Sequence, residues 1–364
     1  MLGQRAADGY AREYDERLAD LARGRELVHS PRFSSRLDVL EWLVGWGTVP
    51  PDEQLAHADA SIERAQAAGA LEAELLLRRY SMWSALEAGD ADGVAGRLDA
   101  ARRRVAMAGV SPVLDGTRLF GPAWDVVRGR LDAADDALLH DIEEFAALGP
   151  FAYENQAIAR LTVLWLRGDV EPHIDALIAR SKAAQQSPMA MIATCFLAEF
   201  GELERSRSLL EQFEQTHLLE ADSPIYTALS QAFYLGTVTN LGMLDETGQA
   251  YDLVLPLAGR LLGPGPGVMF QGTVDHFLAG GAIALGLLDD AERHLDRGFA
   301  HMRGLGAEPF VQRLRLVESD LAAARGDAGR ARAVLDDVSH LAGSAGYKAI
   351  SLAAEQRLAT LDFG

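Results

Sequence analysis

A four-residue turn reading Gly, any residue, apolar, acidic recurs along the chain and constrains its fold more than any other feature. It stands at Gly89-Asp90-Ala91-Asp92, Gly129-Arg130-Leu131-Asp132 and Gly168-Asp169-Val170-Glu171. It returns at Gly201-Glu202-Leu203-Glu204, Gly242-Met243-Leu244-Asp245 and Gly286-Leu287-Leu288-Asp289, with looser copies at Gly47-Thr48-Val49-Pro50 and Gly326-Asp327-Ala328-Gly329. The intervals between the eight glycines are 42, 40, 39, 33, 41, 44 and 40 residues. Trp42, Trp83, Trp124 and Trp165 keep a period of 41 residues just upstream of the first four turns, an independent marker of the same repeat.

Each copy has a physical reading. Glycine ends one helix by taking the left-handed conformation that a Cβ disfavours. The acidic residue starts the next helix, where it is expected to cap free N–H groups and complement the dipole. Nine residues after the glycine stands a leucine in six copies: Leu98, Leu138, Leu177, Leu210, Leu295 and Leu335. Five residues after it stands a small residue (Ala134, Ser206, Ala291, Ala331), and His173 fills that place in the fourth copy as a packed histidine. Stripes such as Ala291–Leu295–Phe299–Met302 have helical spacing. A second glycine is expected to close that helix at Gly69, Gly109, Gly149, Gly263, Gly306 and Gly346.

The unit is therefore helix A, tight turn, helix B, short loop. Helix A is apolar nearly all round, as in Met189–Phe200 and Thr227–Leu241, which places A helices between neighbours and B helices outside. Period-2 runs of β-branched residues are absent, so no strand competes. The expected fold is all-α, an α-solenoid of about eight helical hairpins. It is read as one domain over residues 1–364, with a sub-boundary near 186–188, where Pro188 falls inside the shortest interval.

Composition narrows the function classes. The chain has 34 basic and 53 acidic residues, a net charge of −19, which excludes direct nucleic-acid binding by this chain. Its hydrophobic share of 49% supports a real core. A single cysteine, Cys195, rules out an internal disulfide and points to a reducing compartment. The N-terminus has no apolar signal region, and the longest apolar stretches, Met189–Ala198 and Phe277–Leu288, fall short of the roughly 18 residues a membrane span needs. The expectation is a cytoplasmic protein away from membranes.

The turn, with an alanine two places after the acid and a large apolar residue at plus nine, resembles the tetratricopeptide (TPR) pattern in longer units. The runs Leu255-Pro256-Leu257-Ala258-Gly259-Arg260, Gly272-Thr273-Val274-Asp275-His276-Phe277-Leu278-Ala279 and Ala284-Leu285-Gly286-Leu287-Leu288-Asp289-Asp290-Ala291-Glu292-Arg293-His294-Leu295 carry a narrower resemblance. They resemble the C-terminal TPR-like region of large bacterial signalling ATPases of the STAND type, often linked to a LuxR-type DNA-binding domain or an adenylate-cyclase domain. The resemblance covers roughly the last 140 residues. It implies a TPR-like right-handed superhelix acting as a sensor or scaffold. The chain has no phosphate-binding Gly-x-x-x-x-Gly-Lys-Ser/Thr loop and no basic helix-turn-helix, so a stand-alone relative and an excised sensor domain both stay open.

Signals of chemistry are sparse. Asp136, His140 and Glu144 share a helix face, as do Asp290 and His294; both read as solvated polar faces rather than metal ligands. The pairs Asp135-Asp136, Asp289-Asp290 and Asp336-Asp337 lack the facing basic and aromatic residues of a diphosphate pocket. Cys195 reads as buried and inert, and the four periodic tryptophans as core wedges. The densest Gly/Pro segment, Leu262-Gly263-Pro264-Gly265-Pro266-Gly267, must be non-helical, either an elongated loop or a hinge facing a ligand.

With A helices lining the concave face, the ligand or partner candidates are Tyr226, Gln231, Tyr234, Phe270, Gln271, Asp275 and His276, the last four at the start of an A helix. No catalytic residue, metal or cofactor is expected. The first reading is a non-enzymatic sensor or scaffold that binds a peptide, protein or small ligand in its groove, within a transcriptional or signalling regulator, with a homodimer among its partners. The alternative is a small-molecule-binding or catalytic helical protein with a pocket near Asp275 and His276. A cavity with convergent ionisable groups favours the alternative, and an open groove favours the first.

Overall fold

All eight turn glycines have positive φ, from 69° to 89°. In seven of them the amide after the glycine donates to the carbonyl five residues back, as from Asp90 N to Ala85 O at 3.0 Å and from Leu287 N to Ala282 O at 2.8 Å. That bond closes helix A and starts helix B within one turn. The computed structural model describes residues 2–146, 150–184, 187–213, 224–263 and 269–363. These residues form eighteen α-helices and one isolated antiparallel β-bridge, Leu261 to Thr273, so the chain is all-α.

Eight hairpins follow one another. They are α2 (Pro31–Gly45) with α3 (Pro51–Ala67), α4 (Leu71–Glu87) with α5 (Ala91–Ala108), and α6 (Thr117–Val127) with α7 (Leu131–Ala146). Then come α8 (Pro150–Arg167) with α9 (Glu171–Ala184), α10 (Ser187–Glu199) with α11 (Leu203–Phe213), and α12 (Pro224–Asn240) with α13 (Leu244–Val254). The last are α14 (Val274–Ala284) with α15 (Leu288–Leu305) and α16 (Glu308–Ala324) with α17 (Ala328–Ser344). Helix α1 (Leu2–Leu27) precedes the series and α18 (Lys348–Phe363), an A-type helix, follows it. None of these helices is long and apolar enough to cross a membrane.

Burial follows the A/B distinction. Met191 to Ala198 of α10 are all buried, whereas α15 buries one stripe that includes Ala291, Leu295, Phe299 and Met302. The four periodic tryptophans are buried, and Trp42 stacks on Tyr80 at 4.4 Å while donating to Ser84 Oγ at 2.9 Å. All six plus-nine leucines are buried. Cys195 is buried too, and burial, reinforced by the charge of Glu199, raises its thiol well above the usual range. Buried apolar residues run as one cluster from Val39 to Ala354.

Several local expectations are corrected. Helix B begins at the apolar third residue of the turn, so the acids Asp92, Glu204, Asp245 and Asp289 fall inside the first helical turn. They complement the dipole there. The side-chain caps come instead from the residue after the glycine: Asp90 accepts from Gly93 N at 2.8 Å and Asp327 from Arg330 N at 2.9 Å. The fourth turn is one residue longer, so Ile174 takes the buried place and His173 is exposed. Asp136, His140 and Glu144 are exposed as expected, but His294 is buried. Some of the acidity is interior. Asp38 pairs with Arg25 and Arg64, Glu74 with Arg78 and Arg104, and Asp135 with Arg160 and Arg167, each from a buried carboxylate. At Glu74 the burial that would raise the carboxyl is outweighed by Arg104, Gln66 and Arg78, which hold it below the ordinary range.

Gly263 does not close a helix. Helix α13 ends at Val254, passes through a 3-10 turn over Leu255–Leu257, and turns at Gly259. The chain then continues as two short extended arms, 260–263 and 269–273, joined by Leu262 N to Gly272 O at 2.9 Å and Gln271 N to Leu262 O at 2.8 Å. Gly149 and residues 264–267 of the Gly/Pro segment lie outside the described residues. The arms are interior: Leu261, Leu262, Met269, Phe270 and Gln271 are all buried. Helix α14 starts only at Val274, so Phe270 and Gln271 stand on an extended arm and not on an A helix.

The chain also touches itself at a fixed distance along the repeat. Arg260 Nη2, after the sixth hairpin, donates to Val49 O in the first turn at 2.6 Å. His301 Nε2 of the seventh donates to Leu86 O of the second at 3.0 Å. Helix α6 touches α16, and α8 touches α18. Hairpins six, seven and eight and helix α18 thus touch hairpins one, two, three and four, five places earlier. The glycine turns permit this approach. A Cβ on Gly129 would lie 2.1 Å from Tyr347 Oη, whereas nothing lies within 4 Å of one on Gly201.

Two predictions follow from these contacts. In urea unfolding, Gly201→Ala should cost about 1–2 kcal/mol for its left-handed backbone, and Gly129→Ala should cost clearly more because it also displaces Tyr347. Equal losses would contradict the offset contact.

The second concerns Glu87, fully enclosed where the arms meet α4. Leu261 N donates to its Oε1 at 3.4 Å, Arg260 Nη1 stands 3.6 Å from its Oε2, and the Trp46 and Trp83 indoles lie beside it. Burial outweighs these and pushes the carboxyl up from 4.5 to about 6. A folded pKa above the unfolded one means stability present below pH 4.5 and lost as pH rises through 6, about 2 kcal/mol for this shift. Glu87→Gln should therefore match the parent at pH 4 and exceed it by up to about 2 kcal/mol at pH 7.5. A pH-independent difference between the two proteins would count against this environment for Glu87.

Candidate functional site

Consecutive A helices from α8 onward face a common interior. Trp165 of α8 stacks on Phe196 of α10 at 5.8 Å, Phe196 meets Phe233 of α12 edge-on at 6.2 Å, and Phe233 meets Phe277 of α14 at 5.6 Å. Helix α14 packs on α16, α16 on α18, and α18 returns to α8. Six A helices thus form a ring, and it encloses a cleft of about 300 Å³. The residues lining it all belong to these helices or their immediate ends.

Arg313 of α16 closes the aromatic arc. It is 3% exposed, and its guanidinium lies 4.6 Å from the Trp165 ring centroid and 5.1 Å from that of Phe277. Nη1 donates to Gln271 O at 3.0 Å, and Nη2 to the Glu199 carboxylate, which also takes the Cys195 thiol at 4.0 Å. A buried cation held by two aromatic faces and a paired carboxylate is fixed in place. A second pair, Arg357 and Asp320, lines the same cleft, with Nε to Oδ1 at 2.9 Å and Nη2 to Oδ2 at 3.1 Å.

Three lining residues carry buried polar atoms without a hydrogen-bond partner among the described residues: Glu199 Oε2, Thr239 Oγ1 and His276 Nδ1. Buried polar groups are normally satisfied, so three orphans around one cleft are unusual. Burial, reinforced by Arg313 and Arg357, lowers the His276 imidazole well below its usual 6.5. Among the described residues no group of three or more His, Cys, Asp or Glu is arranged to hold a metal ion.

Of the described residues expected from sequence, His276 alone lines this cleft. Its neighbour Asp275 belongs to a separate buried network: Oδ1 takes His294 Nδ1 and Arg297 Nε, each at 2.9 Å, and Oδ2 takes Gly259 N at 2.8 Å. His294 Nε2 meets the Tyr251 hydroxyl at 3.0 Å, so the network ties α13, α14 and α15 together. Burial, with Asp290 next, pushes the Tyr251 phenol up to about 12. Phe270 packs edge-on against Phe310 at 4.6 Å, and Gln271 Nε2 donates to Thr162 Oγ1 at 2.8 Å. Gln231 is buried and Tyr234 half-buried against the core, while the side chain of Tyr226 lies outside the described residues.

Sequence reasoning missed Trp165, Glu199, Thr239, Arg313, Asp320 and Arg357. A signal was present: Trp165, Glu199, Thr239 and Ile283 all stand two or three places before a turn glycine. Comparison with protein-family models finds none that matches the chain, and comparison with curated proteins finds no match.

The His276 environment makes a testable statement. With its folded pKa below the unfolded value, the contribution of His276 to stability is complete above pH 6.5 and is lost as pH falls through the folded pKa. Its ring carbons should therefore report a neutral imidazole by NMR at pH 6. Half-protonation of His276 near pH 6.5 would contradict its placement.

Proposed function

We propose that the chain is a TPR-like α-solenoid, wound as a right-handed superhelix of about eight hairpins, that serves as a non-enzymatic sensor module of a bacterial signalling or transcriptional regulator. Its ligand is a small molecule held in the cleft ringed by α8, α10, α12, α14, α16 and α18. The contacts of the last hairpins with hairpins about five places earlier support the winding, because a coil brings a unit onto the one a full turn earlier. The observation that carries the ligand reading is the set of unpartnered polar atoms on Glu199, Thr239 and His276 around one partly apolar cleft. Ligand sites combine an apolar wall with a few convergent polar groups in this way. The sensor role rests on the resemblance. Asp275 and His276 serve different surroundings: Asp275 is held by His294 and Arg297, and only His276 lines the cleft. A protein partner completes the regulator, and the −19 charge steers basic or neutral surfaces toward it. A cytoplasmic setting fits this role.

Gly280 gives a direct test. It lines the cleft on α14, and a Cβ there would meet nothing within 4 Å. Gly280→Leu should fill the cleft while keeping or raising the melting temperature, because Gly is the poorer helix former. Ligand-detected NMR with toluene and benzyl alcohol should show saturation transfer from the parent and little from the variant. Equal transfer from both proteins would sink the small-molecule reading and favour a protein ligand on another surface.

A further inference from the structure

The cleft's charges are already matched among themselves. Arg313 directs its two Nη groups to Gln271 O and Glu199. Arg357 directs Nε and Nη2 to Asp320 and Nη1 to Ala353 O at 3.3 Å. Two guanidiniums and two carboxylates cancel, leaving a ligand no counter-ion of its own. What remains open is acceptor-rich: Glu199 Oε2 can only accept, His276 Nδ1 accepts in one neutral tautomer, and the Thr239 hydroxyl accepts or donates.

From this we infer that the cleft selects an uncharged, ring-sized molecule bearing a head group with two hydrogen-bond donors and one acceptor, of the primary-amide class. This rests on the reading of the cleft as a small-molecule site. Two amide N–H groups match Glu199 Oε2 and His276 Nδ1, and the amide carbonyl matches the Thr239 hydroxyl. An anionic head group would face the unpartnered Glu199 oxygen. A cationic one would face the same two arginines that keep His276 neutral. Either brings an unpaired charge into a partly buried site, where the desolvation penalty goes uncompensated. The apolar part of the molecule would lie against Phe200, Phe277, Leu316 and Ile350. The volume of about 300 Å³ suits one ring rather than an extended chain.

A matched series separates the possibilities: benzamide, benzyl alcohol, benzylammonium, benzoate and toluene, titrated at pH 7.5 against the full chain and followed by ligand-detected NMR. Benzamide should bind at least about tenfold more tightly than benzoate, benzylammonium and toluene. Thr239→Val, which keeps the side-chain shape, and His276→Phe should each remove about threefold or more of the benzamide preference over toluene. Gly280→Leu should abolish binding of the whole series. Benzoate or benzylammonium binding best, or benzamide binding no better than toluene, overturns the amide assignment while leaving a small-molecule site in place. Failure of every member to bind the parent overturns the site itself and the assignment with it.

Discussion

A left-handed glycine at the end of each A helix is the constraint on which the rest depends. Its positive φ lets the chain reverse within one hydrogen-bonded turn, which creates the hairpin. Its missing side chain also leaves room for other parts of the chain to lie directly on the turn. At Gly129 both properties are used, since Tyr347 occupies the space a Cβ would take. Later parts of the chain return to the first four turns, and α18 can then close on α8 around the cleft.

Most of the hairpin pattern was legible in the sequence because it depends on local chemistry. Turn glycines, plus-nine leucines and period-41 tryptophans each report a backbone conformation or a buried face, and the structure places them accordingly. Errors arose where one residue shifts the register or where tertiary packing overrides a local pattern. The longer fourth turn moved burial from His173 to Ile174. The acid in the turn looked like a cap, but helix B begins one residue earlier, so it acts through the dipole. The Gly/Pro segment read as an elongated loop or a hinge facing a ligand. Its apolar flanks Leu261, Leu262, Met269 and Phe270 decided the matter, and they went inside.

The site was much less legible, for a geometric reason. Sequence reasoning sampled mainly the starts of A helices, where Asp275 and His276 lie. Around the ring the lining falls on the last turns of α8, α10 and α12, along the length of α14, in the middle of α16 and on α18 from Ala349 to Arg357. Only the places shortly before a turn glycine recur in it, and the rest of the lining follows no single repeat position. His276 was found because the lining on α14 reaches the helix start. Arg313 was invisible because nothing in its own neighbourhood shows that Trp165 and Glu199, more than a hundred residues earlier, will surround it.

The return of the last hairpins onto the first four has a consequence for how the molecule comes apart. In an open repeat array each unit holds only its neighbours, so the ends can peel away while the middle stays folded. Here α18 is held by α8 as well as by α17, and the first turn is held by Arg260 as well as by its own hairpin. Peeling the last helix breaks contacts deep in the first half, and loss of the first hairpin exposes the arms after the sixth. Each end is therefore tied to the interior of the chain, and the contacts it would lose on peeling away are ones that the other half also depends on.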